Sequence, residues 1–235
     1  MTPFRTPLGY AGIKVVGSFQ ELVATPFAGD CNAICWPRTL RGDFDEVVQC
    51  LVAGAGITTL DDALLTALPV STAGSVAIDT LLADQHLLRS IGSTPALDCV
   101  RGYLCDDDRT VPTDVYSFHV DSATVATDTW LCSYTAPASE GLRNDEAQRR
   151  VDIPETRARL LERFGGDDGD GFRAYLRENH HDLHYAPVAS ARPFSFGVGN
   201  LWRIAVAYPG CPVPACIHRA PEDLPGRPPR LLLIS

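Results

Sequence analysis

The spacing of hydrophobic residues divides the chain into two parts of different character. Up to Gly92, apolar residues recur three and four positions apart, which is the period of an amphipathic helix. The predicted helices cover 43–51, 60–68 and a longer stretch from a capping Ser75 to Gly92. After Pro95, short apolar stretches bounded by Pro, Gly and Asp predict strands at 97–105, 115–121, 129–134, 194–198, 202–208, 215–218 and 230–234. Short strands of this kind are typical of a sandwich or a jelly roll.

A segment of helical character, about 154–185, interrupts the predicted strands. Pro154 suits the first turn of a helix that ends at Gly165-Gly166, and a second helix is predicted from Gly171 to about His181. The pattern therefore predicts one α+β domain over the whole chain, 1–235. Its N-terminal part, 1–92, is predicted to be helical, and its β-rich core, 97–235, is predicted to contain the helical insertion.

Composition and charge exclude several classes of function. The chain has 29 acidic and 20 basic residues and a formal net charge of −9, so a nucleic-acid partner is not expected. Its apolar stretches are shorter than the roughly 18 residues of a membrane-spanning helix, and the N-terminus lacks the apolar run of a signal peptide. We therefore expect a cytoplasmic protein without a membrane partner, whose eight cysteines are reduced thiols.

The predicted strand at 115–121 carries a candidate metal-binding pair. Side chains two positions apart on a strand project from the same face, so His119 and Asp121 are expected to converge on one ion. A second His-x-Asp pair, His180 and Asp182, falls in a predicted helix, where residues two apart point about 200° from each other. Geometry therefore favours the first pair.

A third ligand must come from another strand, and His218 is the best candidate. With it, the site becomes a 2-His-1-carboxylate triad, the ligand set of non-haem Fe(II) oxygenases. If the last two predicted strands form a hairpin centred on Leu224, His218 and Arg230 are directly opposed and share a face. Arg230 would then lie beside the ion, where its guanidinium suits bidentate capture of a carboxylate.

These motifs, in this order, resemble the Fe(II)/2-oxoglutarate-dependent oxygenase superfamily. More closely, they are similar to an uncharacterised microbial family of unknown function with Phe-His-x-Asp, Leu-Cys-Thr-Tyr, His-Arg-Ser-Pro and Arg-Leu-Leu-Leu motifs. The matching segments here are Phe-His-Val-Asp at 118–121, Leu-Cys-Ser-Tyr at 131–134, His-Arg-Ala-Pro at 218–221 and Arg-Leu-Leu-Leu at 230–233. The resemblance covers about 97–235. A Gly-Thr-Glu-Trp-like stretch of that family is replaced here by Ala-Ser-Glu-Gly at 138–141, where substrate contacts are therefore expected to differ.

The resemblance implies a double-stranded β-helix, a form of jelly roll, with Fe(II) on His119, Asp121 and His218. It also implies that 2-oxoglutarate and O₂ are co-substrates at the ion and that Arg230 pairs with the distal carboxylate of 2-oxoglutarate. Tyr134 is expected to hydrogen-bond to the oxoacid. The implied reaction gives succinate and CO₂ and oxidises a C–H bond of a small metabolite, such as an amino acid or a biosynthetic intermediate. Hydroxylation, desaturation and cyclisation are all compatible outcomes.

Other functions fit the same three residues. Zinc suits this ligand set as well as iron does, so a non-catalytic zinc-binding or metal-homeostasis protein is an alternative, against which Arg230 argues because such a site needs no carboxylate clamp. A cupin-like oxygenase would use iron and O₂ without 2-oxoglutarate. His180, His181 and His184 are expected at an exposed helix end, although a helical lid would bring one of them to the substrate. The substrate and the oligomeric state stay open.

Overall fold

The computed structural model describes residues 4, 6–51, 56–103, 111–222 and 228–235, which form a mixed α and β structure. The strands in these ranges are β1 (Ile13–Val15), β2 (Ala33–Trp36), β3 (Gly56–Thr59), β4 (Ala96–Arg101), β5 (Asp128–Ser133), β6 (Glu140–Leu142), β7 (Ala147–Arg149), β8 (Tyr185–Pro187), β9 (Phe194–Ser195), β10 (Leu201–Ala205), β11 (Ile217–Arg219) and β12 (Arg230–Ile234). The α-helices are α1 (Phe19–Ala24), α2 (Phe44–Cys50), α3 (Asp62–Thr66), α4 (Thr72–Ser90), α5 (Pro154–Phe164) and α6 (Asp170–Glu178). None of these described helices combines the length and the apolar character needed to cross a bilayer.

A large sheet forms the centre of the fold. Among the described strands its order is β1-β2-β10-β5-β12-β4-β3. β1 and β2 are parallel, and the other neighbours are antiparallel. The sheet is open, with β1 and β3 at its edges. β12 lies near its middle, where Leu231 and Leu233 point to one face and Arg230 and Leu232 point to the other.

Helices cover one face of the large sheet. Leu231 and Leu233 of β12 belong to a buried core that also contains apolar side chains of α1, α2, α3 and α4. The core residues of α4 recur three and four positions apart, as on one face of an amphipathic helix: Ala77, Ile78, Leu81 and Leu88. These apolar faces explain why the first third of the chain has a helical hydrophobic period.

A smaller layer of strands packs against the other face of the large sheet. It contains the antiparallel group β11-β6-β9 and the antiparallel pair β7-β8. The segment around His119 lies between these two groups, because His119 forms backbone bridges with His218 on one side and His184 on the other. Phe196 fills part of the space between the layers and stacks on Trp202 of β10, with ring centroids 4.4 Å apart.

Most elements predicted from the sequence are present, with shorter limits. β12 and the start of α5 match the prediction, and β4 ends at Arg101, whereas 104–105 of its predicted stretch lie outside the described residues. The stretch 115–121 is not a regular strand and forms only bridges among the described residues. The N-terminal part contains α1 to α4, but β1, β2 and β3, which were not predicted, also lie in it and join the large sheet. Strands of three or four residues are too short to show a period of two.

Two local predictions are also wrong. α4 begins before Ser75, because the side chain of Ser71 accepts hydrogen bonds from the backbone N–H groups of Ala73 and Gly74. The expected hairpin between β11 and β12 does not form: β11 pairs with β6, whereas β12 lies between β5 and β4 in the other sheet. The chain therefore crosses from one layer to the other between these two strands. Leu224, the expected centre of the hairpin, lies outside the described residues.

The predicted helical insertion is present as α5 and α6. α5 is followed by Gly165 in a left-handed conformation, with φ 71°, as expected for a helix C-cap. The two helices share a small core that includes Leu160 and Phe172. The helix predicted to reach about His181 stops at Glu178 instead, and His180 has a positive φ of 58°.

A buried ion pair joins the helical layer to the large sheet. Arg38 donates two hydrogen bonds to the carboxylate of Asp84 in α4, at 2.6 and 2.8 Å, and the side chains are 10% and 4% exposed. Tyr134 donates its hydroxyl to the same carboxylate at 2.7 Å. Because a buried charge is costly once its partner is removed, Asp84 is expected to be important for stability.

We predict that Asp84→Ala lowers the free energy of unfolding by about 3–5 kcal/mol, because it leaves the Arg38 guanidinium buried and unpaired. Asp62→Ala is the matched control, since it breaks an exposed pair with Arg89 whose side chains are 56% and 45% exposed. Loss of such a pair is expected to cost less than about 1 kcal/mol. Urea denaturation measures the free energy of unfolding of each variant. Similar losses in Asp84→Ala and Asp62→Ala would contradict the prediction.

Candidate metal centre

Reciprocal backbone hydrogen bonds bring His119 and His218 together. The N–H of each residue donates to the carbonyl oxygen of the other at 2.9 Å, so the two residues are directly opposed and share a face of the smaller layer. Their ring centroids are 4.6 Å apart. Asp121 projects from the same face two positions after His119, as expected for extended backbone.

The three side chains form a group with the dimensions of a metal site. One potential ligand atom of each lies within 4.8 Å of the other two. The Oδ1 atom of Asp121 is 3.9 Å from Nε2 of His119 and 3.8 Å from Nε2 of His218. The structure thus brings together the three residues that the sequence singled out, and metal binding itself stays a prediction.

The Nδ1 atoms of His119 and His218 are hydrogen-bonded to backbone carbonyl groups, which leaves their Nε2 atoms facing Asp121. The Nδ1 atom of His119 lies 2.8 Å from the carbonyl oxygen of Ser117, and Nδ1 of His218 lies 3.3 Å from that of Cys216. Because a carbonyl oxygen only accepts, Nδ1 carries the proton in the neutral form of each imidazole, and Nε2 is then the nitrogen with a free lone pair. Metal-binding histidines almost always donate their other ring N–H in this way.

Thr129 orients the carboxylate in a comparable manner. Its hydroxyl donates to Oδ2 of Asp121 at 2.5 Å, so Oδ1 is the oxygen that faces the two imidazoles. Thr129 belongs to β5 of the large sheet, and the group therefore depends on both layers. Thr129 was not predicted from the sequence. Its only signal is that it shares a strand face with Leu131, on the side of β5 opposite to the helical core.

Burial and the neighbouring charges favour the protonation states that bind a metal. Burial lowers the pKa of His119 to about 4, with a further contribution from His218. Burial would raise the pKa of Asp121, but His218, the Thr129 hydroxyl and His119 oppose it, and the net shift of this pKa is downward. Metal ions bind neutral imidazoles and ionised carboxylates, so near neutral pH His119 and Asp121 need no proton transfer before a metal binds.

A further imidazole, that of His184, lies beside His119. The two rings have centroids 5.7 Å apart, and Nδ1 of His184 is buried without a hydrogen-bond partner among the described residues. Burial, followed by the effect of His119, lowers the pKa of His184 to about 3. His180 is exposed and has left-handed backbone, but His181 and His184 are only 6% and 5% exposed, so the expectation of an exposed helix end is wrong for these two residues.

Arg230 faces the space between the two layers. It reaches this space from the large sheet and not from the predicted hairpin with β11. On β12 it alternates with Leu231, which points into the helical core. Its Nη2 donates to the hydroxyl of Tyr103 at 3.2 Å, and the Tyr103 ring packs edge-on against Tyr116, three residues before His119. Arg230 is only 4% exposed, and its Nε and Nη1 atoms have no hydrogen-bond partner among the described residues.

Tyr134 lies on the other side of the large sheet. Its ring stacks on Phe44 of α2, with centroids 5.4 Å apart, and its hydroxyl is bound to Asp84. Thr129, which contacts Asp121, is five positions earlier and therefore points to the opposite face. The expectation that Tyr134 contacts an oxoacid at the metal is wrong, because Tyr134 points to the helical face of the large sheet and the candidate ligands lie on the other face.

We predict that His119→Ala and His218→Ala each weaken Fe(II), Co(II) or Zn(II) binding by more than about 100-fold, because loss of a ligand exceeds the 10–100-fold effect of an outer-shell change. His180→Ala is the matched control, since His180 begins the other His-x-Asp pair and is exposed. Isothermal titration calorimetry measures the affinities. Equal affinities of the three variants would contradict the assignment.

We predict that Thr129→Val lowers the metal affinity by roughly 10–100-fold, because the nearly isosteric valine removes the hydrogen bond that orients Asp121. Thr127→Val, at an exposed position on the same segment, is expected to leave the affinity unchanged. The same calorimetric titration compares the two, and an unaltered affinity in Thr129→Val would show that this hydroxyl does not support the site.

Comparison with known proteins adds no assignment. The chain matches no protein-family model, no curated protein and no solved structure. What the site can do therefore has to follow from its own geometry.

Proposed function

We propose that the protein is a non-haem Fe(II)- and 2-oxoglutarate-dependent oxygenase that oxidises a C–H bond of a small metabolite. Two imidazoles and one carboxylate, with Nε2 and Oδ1 atoms that face one another, form the donor set of such enzymes. The observation that carries the choice of co-substrate is the buried guanidinium of Arg230, whose Nε and Nη1 atoms have no hydrogen-bond partner among the described residues.

The site fits the ion that the proposal requires. His119, Asp121 and His218 would hold Fe(II), which when bound supplies the redox chemistry for O₂-dependent oxidation. The carbonyl oxygens of Ser117 and Cys216 keep both imidazoles in the tautomer that leaves Nε2 free. The side chains of the three ligands are 9%, 15% and 30% exposed for His218, His119 and Asp121, so the site opens towards the carboxylate.

Arg230 supports a carboxylate-bearing co-substrate. Its guanidinium makes no ion pair with a described acid, and it uses Nη2 for a neutral phenol. An unpaired charge that is 4% exposed is costly, and a carboxylate satisfies the guanidinium with two parallel hydrogen bonds. We assign to Arg230 the binding of the distal carboxylate of 2-oxoglutarate.

We also propose that the two facing layers are a double-stranded β-helix. The support is that both are mainly antiparallel and that the candidate ligands lie between them, with Thr129 from one layer in contact with Asp121 from the other. The edges of the large sheet are open. The helices on its outer face are additions to this core.

A non-catalytic zinc protein with the same ligands is the competing function. The donor set accepts zinc equally well. Such a site does not need a buried guanidinium in the space between the two layers, and this is why we favour the oxygenase. A cupin-like oxygenase without 2-oxoglutarate is disfavoured on the same ground.

Anaerobic protein loaded with Fe(II) and 2-oxoglutarate tests the proposal. We expect a visible charge-transfer band and, after addition of O₂, release of succinate even without the primary substrate. Zinc alone in the purified protein with no band and no succinate would support the zinc function instead. O₂ consumption that does not depend on 2-oxoglutarate would support the cupin-like function.

We predict that Arg230→Gln raises the 2-oxoglutarate concentration for half-maximal band formation by about tenfold or more, because a charge-assisted bidentate contact is lost. Fe(II) affinity should be retained, which shows that the variant folds. Arg101→Gln is the matched control, an exposed arginine at the end of the neighbouring strand β4. Equal 2-oxoglutarate requirements in both variants would remove Arg230 from the proposed site.

A further inference from the structure

One row of residues crosses the smaller layer at the level of the metal group. The row continues from His218 and His119 to His184 through backbone bridges. It then reaches Arg150, whose N–H donates to the carbonyl oxygen of His184 at 2.9 Å, in register with the β7-β8 pair. Arg150 is the first residue of a short 3₁₀ helix (Arg150–Asp152) that follows β7, and its positive charge contributes to the lowered pKa of His184. Its guanidinium therefore lies near the His184 imidazole, which in turn lies beside His119.

Arg150 brings a positive charge without a close partner. Within the described ranges its guanidinium has no hydrogen bond or ion pair, and its Nε atom is buried. The acid whose charge acts on it is Asp114, but Oδ1 of Asp114 accepts the backbone N–H groups of Tyr116 and Ser117 at 3.0 and 3.1 Å. Burial outweighs the effect of Asp114 and lowers the pKa of Arg150.

The two ends of the row differ in chemical character. On the far side of His218 the row continues to Gly141, whose missing Cβ would lie 2.3 Å from the Phe194 ring and 2.7 Å from the Phe196 ring. This end is therefore closed by aromatic rings. The opposite end carries the Arg150 guanidinium and the free Nδ1 of His184, so polar binding groups are concentrated on one side of the metal group.

We propose that Arg150, with His184 beside it, binds an anionic group of the substrate, either a carboxylate or a phosphate. The guanidinium geometry matches both oxyanions, and the imidazole of His184 offers a further hydrogen bond. The backbones of Arg150 and His119 are two strand spacings apart, about 10 Å at ~4.8 Å each, which suits a molecule the size of an amino acid or a small phosphate ester. That this anion belongs to the substrate rests on the proposed oxygenase function; anion binding itself does not.

Calorimetric titration of Zn(II)-loaded protein, with excess 2-oxoglutarate present, tests the site without turnover. The probes are N-acetyl amino acids paired with their carboxamides, and alkyl phosphate monoesters paired with their parent alcohols. We expect the wild type to prefer the anionic member of at least one pair by about tenfold or more, and Arg150→Gln to abolish this preference. Which kind of pair shows the preference identifies the oxyanion.

Three comparisons make the result specific. Arg149→Gln is the matched control, because Arg149 is an exposed neighbour on the other face of the strand, and it should keep the preference. Arg150→Lys retains the charge and should keep part of the anion preference. Retained Zn(II) affinity shows that each variant folds. Absence of any anion preference in the wild type, or its persistence in Arg150→Gln, overturns the inference.

This outcome is separable from that of the proposed function. Loss of the anion preference in Arg150→Gln supports the anion site even if no 2-oxoglutarate charge-transfer band forms with Fe(II). An unchanged preference in that variant, together with a normal band, overturns the Arg150 assignment and leaves the oxygenase proposal intact.

Discussion

The reciprocal backbone hydrogen bonds between His119 and His218 are the contact on which the proposed site depends. They fix the register of two segments that are 99 positions apart in the chain (218 − 119) and place both rings on one face. A slip of one residue would turn one imidazole to the opposite face and destroy the group. The same register places Asp121 on the face of both imidazoles, because it lies two positions after His119. A hydrogen bond from Thr129 then connects Asp121 to the large sheet.

Each candidate ligand is held in its orientation by a further hydrogen bond. Both imidazoles donate Nδ1–H to the carbonyl oxygen two residues earlier, and Oδ2 of Asp121 accepts a hydroxyl. Arg150 and Arg230 add two guanidinium groups with buried nitrogen atoms that the described residues leave unpartnered. A metal ion and anionic small molecules together account for this arrangement, whereas a structural polar cluster would be expected to satisfy its own members.

The sequence was informative where chemistry depends on local spacing. The interval of two between His119 and Asp121 predicts a shared face wherever the backbone is extended, even though the segment forms bridges rather than a regular strand. The sequence was less informative about which strands are neighbours in a sheet and to which face each side chain points. Arg230 follows β11 in the chain but lies in the other sheet. Tyr134 points to the face of the large sheet opposite to that of the candidate ligands. Thr129 and Arg150 become visible only once strand pairing is known.

Anomalous diffraction from crystals of the Fe(II)-loaded protein, measured at the iron absorption edge, would show whether the three residues bind one ion. We expect one strong peak about 2.1 Å from Nε2 of His119, Nε2 of His218 and a carboxylate oxygen of Asp121. A peak elsewhere, for example at His180 and Asp182, or an ion that contacts only one of the two imidazoles, would contradict it.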